Sequence, residues 1–379
     1  MITKKLKVVV LYGGKSGEHE VSLRSAASVF QRLDRTRFDV IPVAIDKTGR
    51  WLAQRIQEVE SAKDSLPVAQ DVPQVVLMPG GASGSARFFA LNGVLPEALG
   101  PQGEVDVVFP VVHGTLCEDG TLQGLLELAE VAYVGCGVLA SAVGMDKEFA
   151  KRLLRDVGVP IVPYLCVRKG QWKKSSAEWS ASVASQLGYP CFVKPANSGS
   201  SVGVHRVGQP GELAAAMEDA FSIDTKVLIE KAVSAREIEL SVLENPDATQ
   251  PPRVSVPGEI VPTHAFYSYE AKYLDGGGAK LEIPAQLSPA QVSQAKEMAQ
   301  KTFQALDGEG MARVDLFLDR VSGEFYVNEV NTLPGFTSIS MYPKLWEKSG
   351  IEYTELLTSL VELAQSRRLA KAALRRAHQ

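Results

Sequence analysis

The chain has 379 residues, 45% hydrophobic and 22% charged, with a formal net charge of −4; this is a globular composition, long enough for two or three domains with their own cores. The slightly acidic balance offers nucleic acid no electrostatic footing, no apolar run reaches the length of a membrane span, and Met1-Ile2-Thr3-Lys4-Lys5 runs into a strand without a signal-like start. The expectation is therefore a cytoplasmic protein with neither a nucleic-acid nor a membrane partner. Four cysteines, Cys117, Cys136, Cys166 and Cys191, lack close-pair metal spacing and read as buried, reduced thiols.

In chain order, Leu6 to Tyr12 is a short apolar run ending in Gly13-Gly14, and a helical pattern follows from about Val21 to Leu33. This strand, glycine turn and helix is a unit of an α/β domain. Val40 to Ile45 is the next strand. Residues 55 to 104, rich in Pro, Gly, Ser and Ala, carry weak strand signals at Val75 to Met78 and Arg87 to Ala90 and read as an elaboration of this domain. Val105 to Val112 is a buried strand, His113-Gly114 opens a loop through Glu118-Asp119-Gly120, and Thr121 is placed to cap a helix running to Glu130. Ser141 to Val157 reads as one helix, Pro160 to Val167 as extended, Trp179 to Leu187 as helix and Cys191 to Pro195 as extended. Helix Gly211 to Phe221 and strand Lys226 to Val233 complete a smaller second α/β unit. From about Ala235 come strand Glu237 to Leu243, an irregular stretch, helix Ser288 to Leu306, a hairpin, and a C-terminal helix ending in Arg367-Arg368, Lys371 and Arg375-Arg376. The predicted domains are 1–141, 142–233 and 234–379.

The hairpin, Ala312 to Asn331, carries the strongest chemical signal. Apolar residues alternate with polar ones on either side of Arg320 to Gly323. Centred on Ser322, it sets Asp315 opposite Glu329 and Arg313 opposite Asn331, and the period of two puts all four side chains on one face. Opposed carboxylates repel unless a cation lies between them, and a hard divalent ion such as Mg2+ suits oxygen ligands. The bland alternative for the segment on its own is a solvated hairpin with ordinary surface charges.

Two motifs fail on inspection. Gly14-Lys15-Ser16 resembles the end of a Walker A loop, but Val9 stands where its first glycine belongs. Gly135-Cys136-Gly137-Val138-Leu139-Ala140 sits as a dinucleotide fingerprint would, yet no acidic residue ends a second strand about twenty residues on; packing glycines are the better reading. Lys194-Pro195-Ala196-Asn197-Ser198-Gly199-Ser200-Ser201-Val202-Gly203-Val204 is stronger: a lysine at a strand end leads into a Gly/Ser turn rich in hydroxyl and backbone N–H donors, fit to close over phosphates or to be a plain flexible hairpin. Glu230, at the end of Val227-Leu228-Ile229, and Glu237 are acceptors placed for an adenine amino group and a ribose hydroxyl, and by themselves are ordinary strand-end carboxylates.

Together these segments resemble the ATP-grasp superfamily, and within it the D-alanine–D-alanine ligase family. The likeness covers nearly the whole chain apart from residues about 55 to 104 and the C-terminal tail. It is carried by Gly13 to Ser22, His113-Gly114 with Glu118 to Thr121, Met145-Asp146-Lys147, the Lys194 loop, Glu270-Ala271-Lys272-Tyr273 and Asn328 to Gly335. It implies a three-domain ATP-grasp fold, α/β and α+β, with a Rossmann-like N-terminal domain. It further implies ATP-dependent joining of two D-alanines through an acyl phosphate for peptidoglycan synthesis, a homodimer, and two Mg2+ (or Mn2+) ions per site.

By the same resemblance Lys147 and Lys194 match phosphate-holding lysines, and Glu230 and Glu237 match the glutamates for adenine and ribose. Ser200, Ser201 and Lys272 lie on the nucleotide side, with Asn328 beside Glu329. Asp315, Glu329 and Asn331 match the metal ligands, and Arg313 with the backbone N–H of Gly335 the oxyanion donors. Glu18 matches the anchor of the first ammonium, with His113 close by, while Ser340 and Met341 match the segment receiving the second carboxylate. Tyr273 belongs to the closing lid, about Ala265 to Gly278, and is expected to bond toward Glu18 and Ser200. Tyr273 resembles the dipeptide-forming branch and argues against D-lactate as the second substrate; a D-alanine–D-lactate or D-alanine–D-serine ligase is the nearest rival, and an inactive ATP-binding module the rival from another class.

Overall fold

The computed structural model describes residues 4–78, 86–262 and 279–374. The N-terminal part runs β1 (Leu6–Gly13), α1 (His19–Arg32), β2 (Phe38–Ile45), β3 (Trp51–Ala53), α2 (Ile56–Ser61), β4 (Val75–Met78), β5 (Arg87–Ala90), β6 (Val107–Val112), α3 (Thr121–Leu128) and β7 (Ala132–Tyr133). The middle part holds α4 (Val138–Met145), α5 (Lys147–Asp156), β8 (Tyr164–Arg168), α6 (Lys169–Gln186), β9 (Cys191–Pro195), β10 (His205–Val207), α7 (Leu213–Ile223) and β11 (Lys226–Lys231). The remainder holds β12 (Ala235–Leu243), β13 (Arg253–Val254), β14 (Gly258–Pro262), β15 (Ala279–Glu282), α8 (Pro289–Ala305), β16 (Met311–Asp319), β17 (Phe325–Asn331), α9 (Met341–Lys348) and α10 (Tyr353–Ala372).

Among the described residues the first sheet is ordered β3-β2-β1-β6-β7, parallel except for the edge strand β3. Its strands are continuous apolar runs because both faces are covered, as parallel strands require. Val8, Val10 and Tyr12 point to one core, shared with α1 and with α9 and α10 from the far end of the chain. Val9 and Leu11 point to the other, where the β4–β5 hairpin contributes Val75, Leu77 and Phe88. Residues 55 to 104 thus share the cover of this sheet face with α3, which contributes Leu122 and Leu126 to the same core. The second sheet, β10-β9-β11-β8, is antiparallel. The third, β15-β14-β12-β16-β17 with β13 beside β12, is antiparallel too and is backed by α8. Ser288 starts α8 with a capping box to Gln291, satisfying helix N–H groups that have no intrahelical partner.

Three expectations need correction. Thr121 does not cap α3: it is the first helical residue, and Asp119 Oδ1 accepts its N–H at 3.1 Å instead. Ser141 to Val157 is not one helix, because at Asp146 the backbone turns extended and its side chain caps the N–H groups of Glu148 and Phe149, starting α5 afresh. Cys166 is half-buried, whereas Cys117, Cys136 and Cys191 are buried; all four are free thiols, and burial pushes the Cys166 thiol up to about 12.

Candidate active site

A cleft opens where the third sheet, the α4–α5 junction, the N-terminus of α1 and the Ser198–Ser200 turn meet. Its floor is the β16–β17 hairpin. Arg313 pairs with Asn331 and Asp315 with Glu329, as the alternation predicts, but nearer the turn the register slips to Leu316 with Val327 and Phe317 with Tyr326. The hairpin is therefore not symmetric about Ser322: Asn328 is one extra residue, a β-bulge that bends the strand and re-aims a side chain. Asn328 and Glu329 consequently both line the cleft, and Asn328 Oδ1 accepts from Lys194 Nζ at 3.3 Å.

The neighbouring strand adds a residue the sequence reading missed. β12 sets Glu239 opposite Asp315, so Glu239, Asp315 and Glu329 form a row of carboxylates across three strands. Arg313 offsets this charge. Its Nε and Nη2 each lie 2.7 Å from an Asp315 oxygen, and Nε is 3.0 Å from Glu239 Oε2. Burial alone would lower the Arg313 pKa, but Asp315 and Glu239 outweigh it and hold the guanidinium well above its ordinary value. At the other end Lys147 Nζ is 3.7 Å from Glu329 Oε2. Among the described residues no three His, Cys, Asp or Glu side chains form a metal-binding group. The oxygen set on the floor is instead two facing carboxylates, Asp315 and Glu329, plus the Asn331 amide, and such hard donors fit Mg2+ or Mn2+.

On the roof, Lys147 Nζ donates to Ser198 O at 2.6 Å. Lys194 does not line the cleft: half-buried beneath it, Lys194 Nζ is 2.8 Å from Glu230 Oε2, while Lys151 Nζ is 3.1 Å from Glu230 Oε1. Burial would raise the Glu230 pKa, but Lys151 and Lys194 override it and bring it to about 2. Lys151 escaped the sequence reading, since a lysine on a helix is normally solvated. Glu237 lines the cleft and Glu230 does not. Ser200 and Ser201 both adopt positive φ, 49° and 60°, which costs a non-glycine residue roughly 1–2 kcal/mol. That bend lets Ser200 Oγ donate to Glu18 Oε1, tying the turn to the start of α1, while Ser201 stays off the cleft wall.

Glu18 and His113 close the far end. His113 Nδ1 is 3.2 Å from Leu333 O and 3.4 Å from Glu118 Oε1, and Nε2 is 3.4 Å from Ser25 Oγ. Burial would lower the His113 pKa; the hydrogen bond and charge of Glu118 reverse this and raise it. Gly335, Ser340 and Met341 form the adjoining wall, where a β-carbon on Gly335 would sit 2.9 Å from Ser340 Oγ. Arg313, Asp315, Asn328, Glu329 and Asn331 thus share one cleft with Glu18, His113, Lys147, Ser200 and Glu237. Lys272 and Tyr273, with the rest of the expected lid, lie outside the described residues.

The pattern described as D-ala D-ala ligase N-terminus matches residues 7–136, and the one described as D-ala D-ala ligase C-terminus matches residues 153–362. A D-alanine--D-alanine ligase A of Bradyrhizobium diazoefficiens is 52% identical over 377 residues, 99% of each chain, and one of Escherichia coli is 46% identical over 374 residues, 98% of this chain and 99% of that one. Among solved structures, the D-alanine-D-alanine ligase from Coxiella burnetii superposes with a TM-score of 0.79 at 33% identity, covering 98% of this chain and 97% of that one. The VanG D-Ala:D-Ser ligase from Enterococcus faecalis does so with a TM-score of 0.80 at 33% identity, covering 95% and 100%. The fold is that of an ATP-grasp ligase, with mixed parallel and antiparallel sheets. The chain belongs to the D-alanine–D-alanine ligase family.

Proposed function

We propose that this protein joins two molecules of D-alanine into D-alanyl-D-alanine for peptidoglycan synthesis, converting ATP to ADP and phosphate. A free carboxylate is a poor acyl donor. An oxygen of the first substrate attacks the γ-phosphorus, ADP leaves, and the acyl phosphate so formed accepts the amine of the second substrate and expels phosphate. Glu18 takes the first ammonium, its carboxylate oriented by Ser200. Lys147, on the cleft wall, takes the transferring phosphate, and Lys194, behind the wall and reaching it through Asn328, supports a second phosphate. Glu237, on the cleft wall, takes the ribose, while Glu230, matched by resemblance to the adenine glutamate, lies off the wall with both oxygens on Lys151 and Lys194 and serves to hold Lys194. Arg313 Nη1, the nitrogen not spent on Asp315, and the Gly335 N–H stabilise the tetrahedral oxyanion. Ser340 and Met341 receive the second carboxylate at the start of α9, through the Ser340 hydroxyl and the N–H groups of the helix's first turn, the Ser340 N–H itself being bonded to Thr337 O. Asp315, Glu329 and Asn331 would hold Mg2+ or Mn2+, which supplies charge neutralisation on the transferring phosphoryl group.

The observation that carries this reading is the cleft floor itself, the row Glu239, Asp315 and Glu329 offset by Arg313 and Lys147 and facing Glu18. Two ions per site, a homodimer, a cytoplasmic location and the division 1–141, 142–233 and 234–379 belong to the same proposal. The three sheets support that division, and no helix among the described residues is long and apolar enough to cross a membrane. The test is a product assay with ATP, Mg2+ and D-alanine, D-serine, D-lactate or L-alanine as candidate substrates. With both carboxylate oxygens of D-alanine labelled with heavy oxygen, each turnover should deliver one label to inorganic phosphate. Label in AMP, or a dominant D-alanyl-D-serine or D-alanyl-D-lactate product, would overturn it.

A further inference from the structure

The break between α4 and α5 is held by a lysine that never reaches the cleft. Lys226, at the start of β11 and only 4% exposed, places Nζ 2.7 and 2.5 Å from the two Asp146 oxygens and 3.1 Å from Glu148 Oε2. The same ammonium sits 4.8 Å from the centroid of the Phe149 ring. Asp146 meanwhile caps α5, its Oδ1 accepting the N–H groups of Glu148 and Phe149 at 3.1 Å each. The backbone closes the circuit: Ala196 N donates to Lys226 O at 2.9 Å, and Lys147 N donates to Ala196 O at 3.1 Å. Lys147 therefore stands inside a ring formed by the Lys226 side chain, its own neighbour Asp146, and the Lys226 and Ala196 carbonyls.

A helix cap does not need a buried cation, since a solvated aspartate caps equally well. Burying an ammonium forfeits its hydration, which is recovered only where its acceptors are fixed. What Lys226 adds is the location of the cap: it binds the first turn of α5 to the strand that leads to Glu230. The ammonium of Lys147, the first residue of that turn, is then delivered to Ser198 O and toward Glu329.

We propose that Lys226, through Asp146, is a positioning residue for Lys147, fixing the height and direction at which the Lys147 ammonium meets the ATP phosphates. The inference rests on the reading of Lys147 as a phosphate ligand. Lys226 touches no substrate; its effect passes wholly through the α5 N-terminus.

The test is steady-state kinetics of the full chain, with ATP and D-alanine varied separately, for Lys226→Met, Lys226→Arg, Asp146→Asn, Lys147→Met and the double variant Lys226→Met/Lys147→Met, alongside thermal unfolding. Lys226→Met should raise KM for ATP about tenfold and leave KM for D-alanine within about twofold, with Lys226→Arg recovering most of the loss. Asp146→Asn keeps an oxygen for the cap and should repeat the ATP defect with little loss of Tm; it decides the matter if Lys226→Met does not fold. The double variant should bind ATP no worse than Lys147→Met, because residues acting through one another are not additive. Multiplying effects, an unchanged KM for ATP in Asp146→Asn, or equal rises in both KM values would overturn the inference. A Lys147→Met protein with normal KM for ATP would instead remove the phosphate role on which it rests.

Discussion

Replacing Phe336 by alanine should be among the most damaging single changes, and its size follows from the packing. Phe336 is 1% exposed and joins the wall of the cleft to the core of the first sheet. Its ring centroid lies 5.9 Å from Phe109, edge-on, 5.5 Å from Tyr342 and 6.2 Å from Tyr353. Its N–H donates to Ser25 Oγ at 3.2 Å and its carbonyl accepts from the Tyr353 hydroxyl at 2.8 Å. Removing a buried phenyl ring costs about 3–5 kcal/mol, and three aromatic contacts worth about 0.5–1.5 kcal/mol each place this site near the top of that range. Phe336→Leu keeps most of the volume and loses the ring contacts, for about 2 kcal/mol. Urea denaturation of both variants measures the difference, and D-alanine KM should rise in step because Gly335 is the preceding residue. An alanine variant that loses less than about 2 kcal/mol, or no more than the leucine variant, would refute the reasoning.

Glu329→Gln keeps the shape of the side chain and removes one charge from the oxygen set; turnover at saturating ATP and Mg2+ should fall at least about a hundredfold with the urea midpoint unchanged, and near-normal activity would remove Glu329 from the metal site. Ser200→Ala cuts the link to Glu18 and should raise D-alanine KM several-fold with little change in stability, so an unaltered KM would show that Glu18 needs no such tether. NMR titration of His113 should place its midpoint above the ordinary value of about 6.5. With the folded pKa raised, the stability it contributes is fully present below that ordinary value and lost as pH rises through the folded one; a midpoint at or below about 6.5 counts against the Glu118 pairing.

The order of strands and helices was legible because their signals are local: apolar runs for β1, β2 and β6, the first ending in Gly13-Gly14 and the last followed by His113-Gly114, and Ser288 with Gln291 for the start of α8. The facing of Asp315 and Glu329 was legible from alternation alone, but the bulge at Asn328 was not, since an extra residue leaves no mark in a period of two until the partner strand is known. The restart at Asp146 did have a signal, an aspartate followed by Lys147 and Glu148, that a continuous apolar pattern obscured. Lys151, Lys226 and Glu239 were invisible for a different reason. Each is buried only because an opposite charge from a distant strand or helix meets it, and such pairings have no local signature.

The core beneath the first sheet also has a consequence for how the protein is made. Val8, Val10 and Phe109 share that core with Leu333, Trp346, Leu356 and Leu360, contributed more than two hundred residues later. On the ribosome, the first sheet emerges with one face covered by β4, β5 and α3 and the other only partly covered, by α1, Val59 and Leu66. The rest of that apolar face must wait for α9 and α10 to be synthesised. Contacts of such long sequence separation form late and expose sticky surface in the interval. A chain cut before Tyr353 should therefore accumulate as aggregate, even though every residue of the cleft would be present in it.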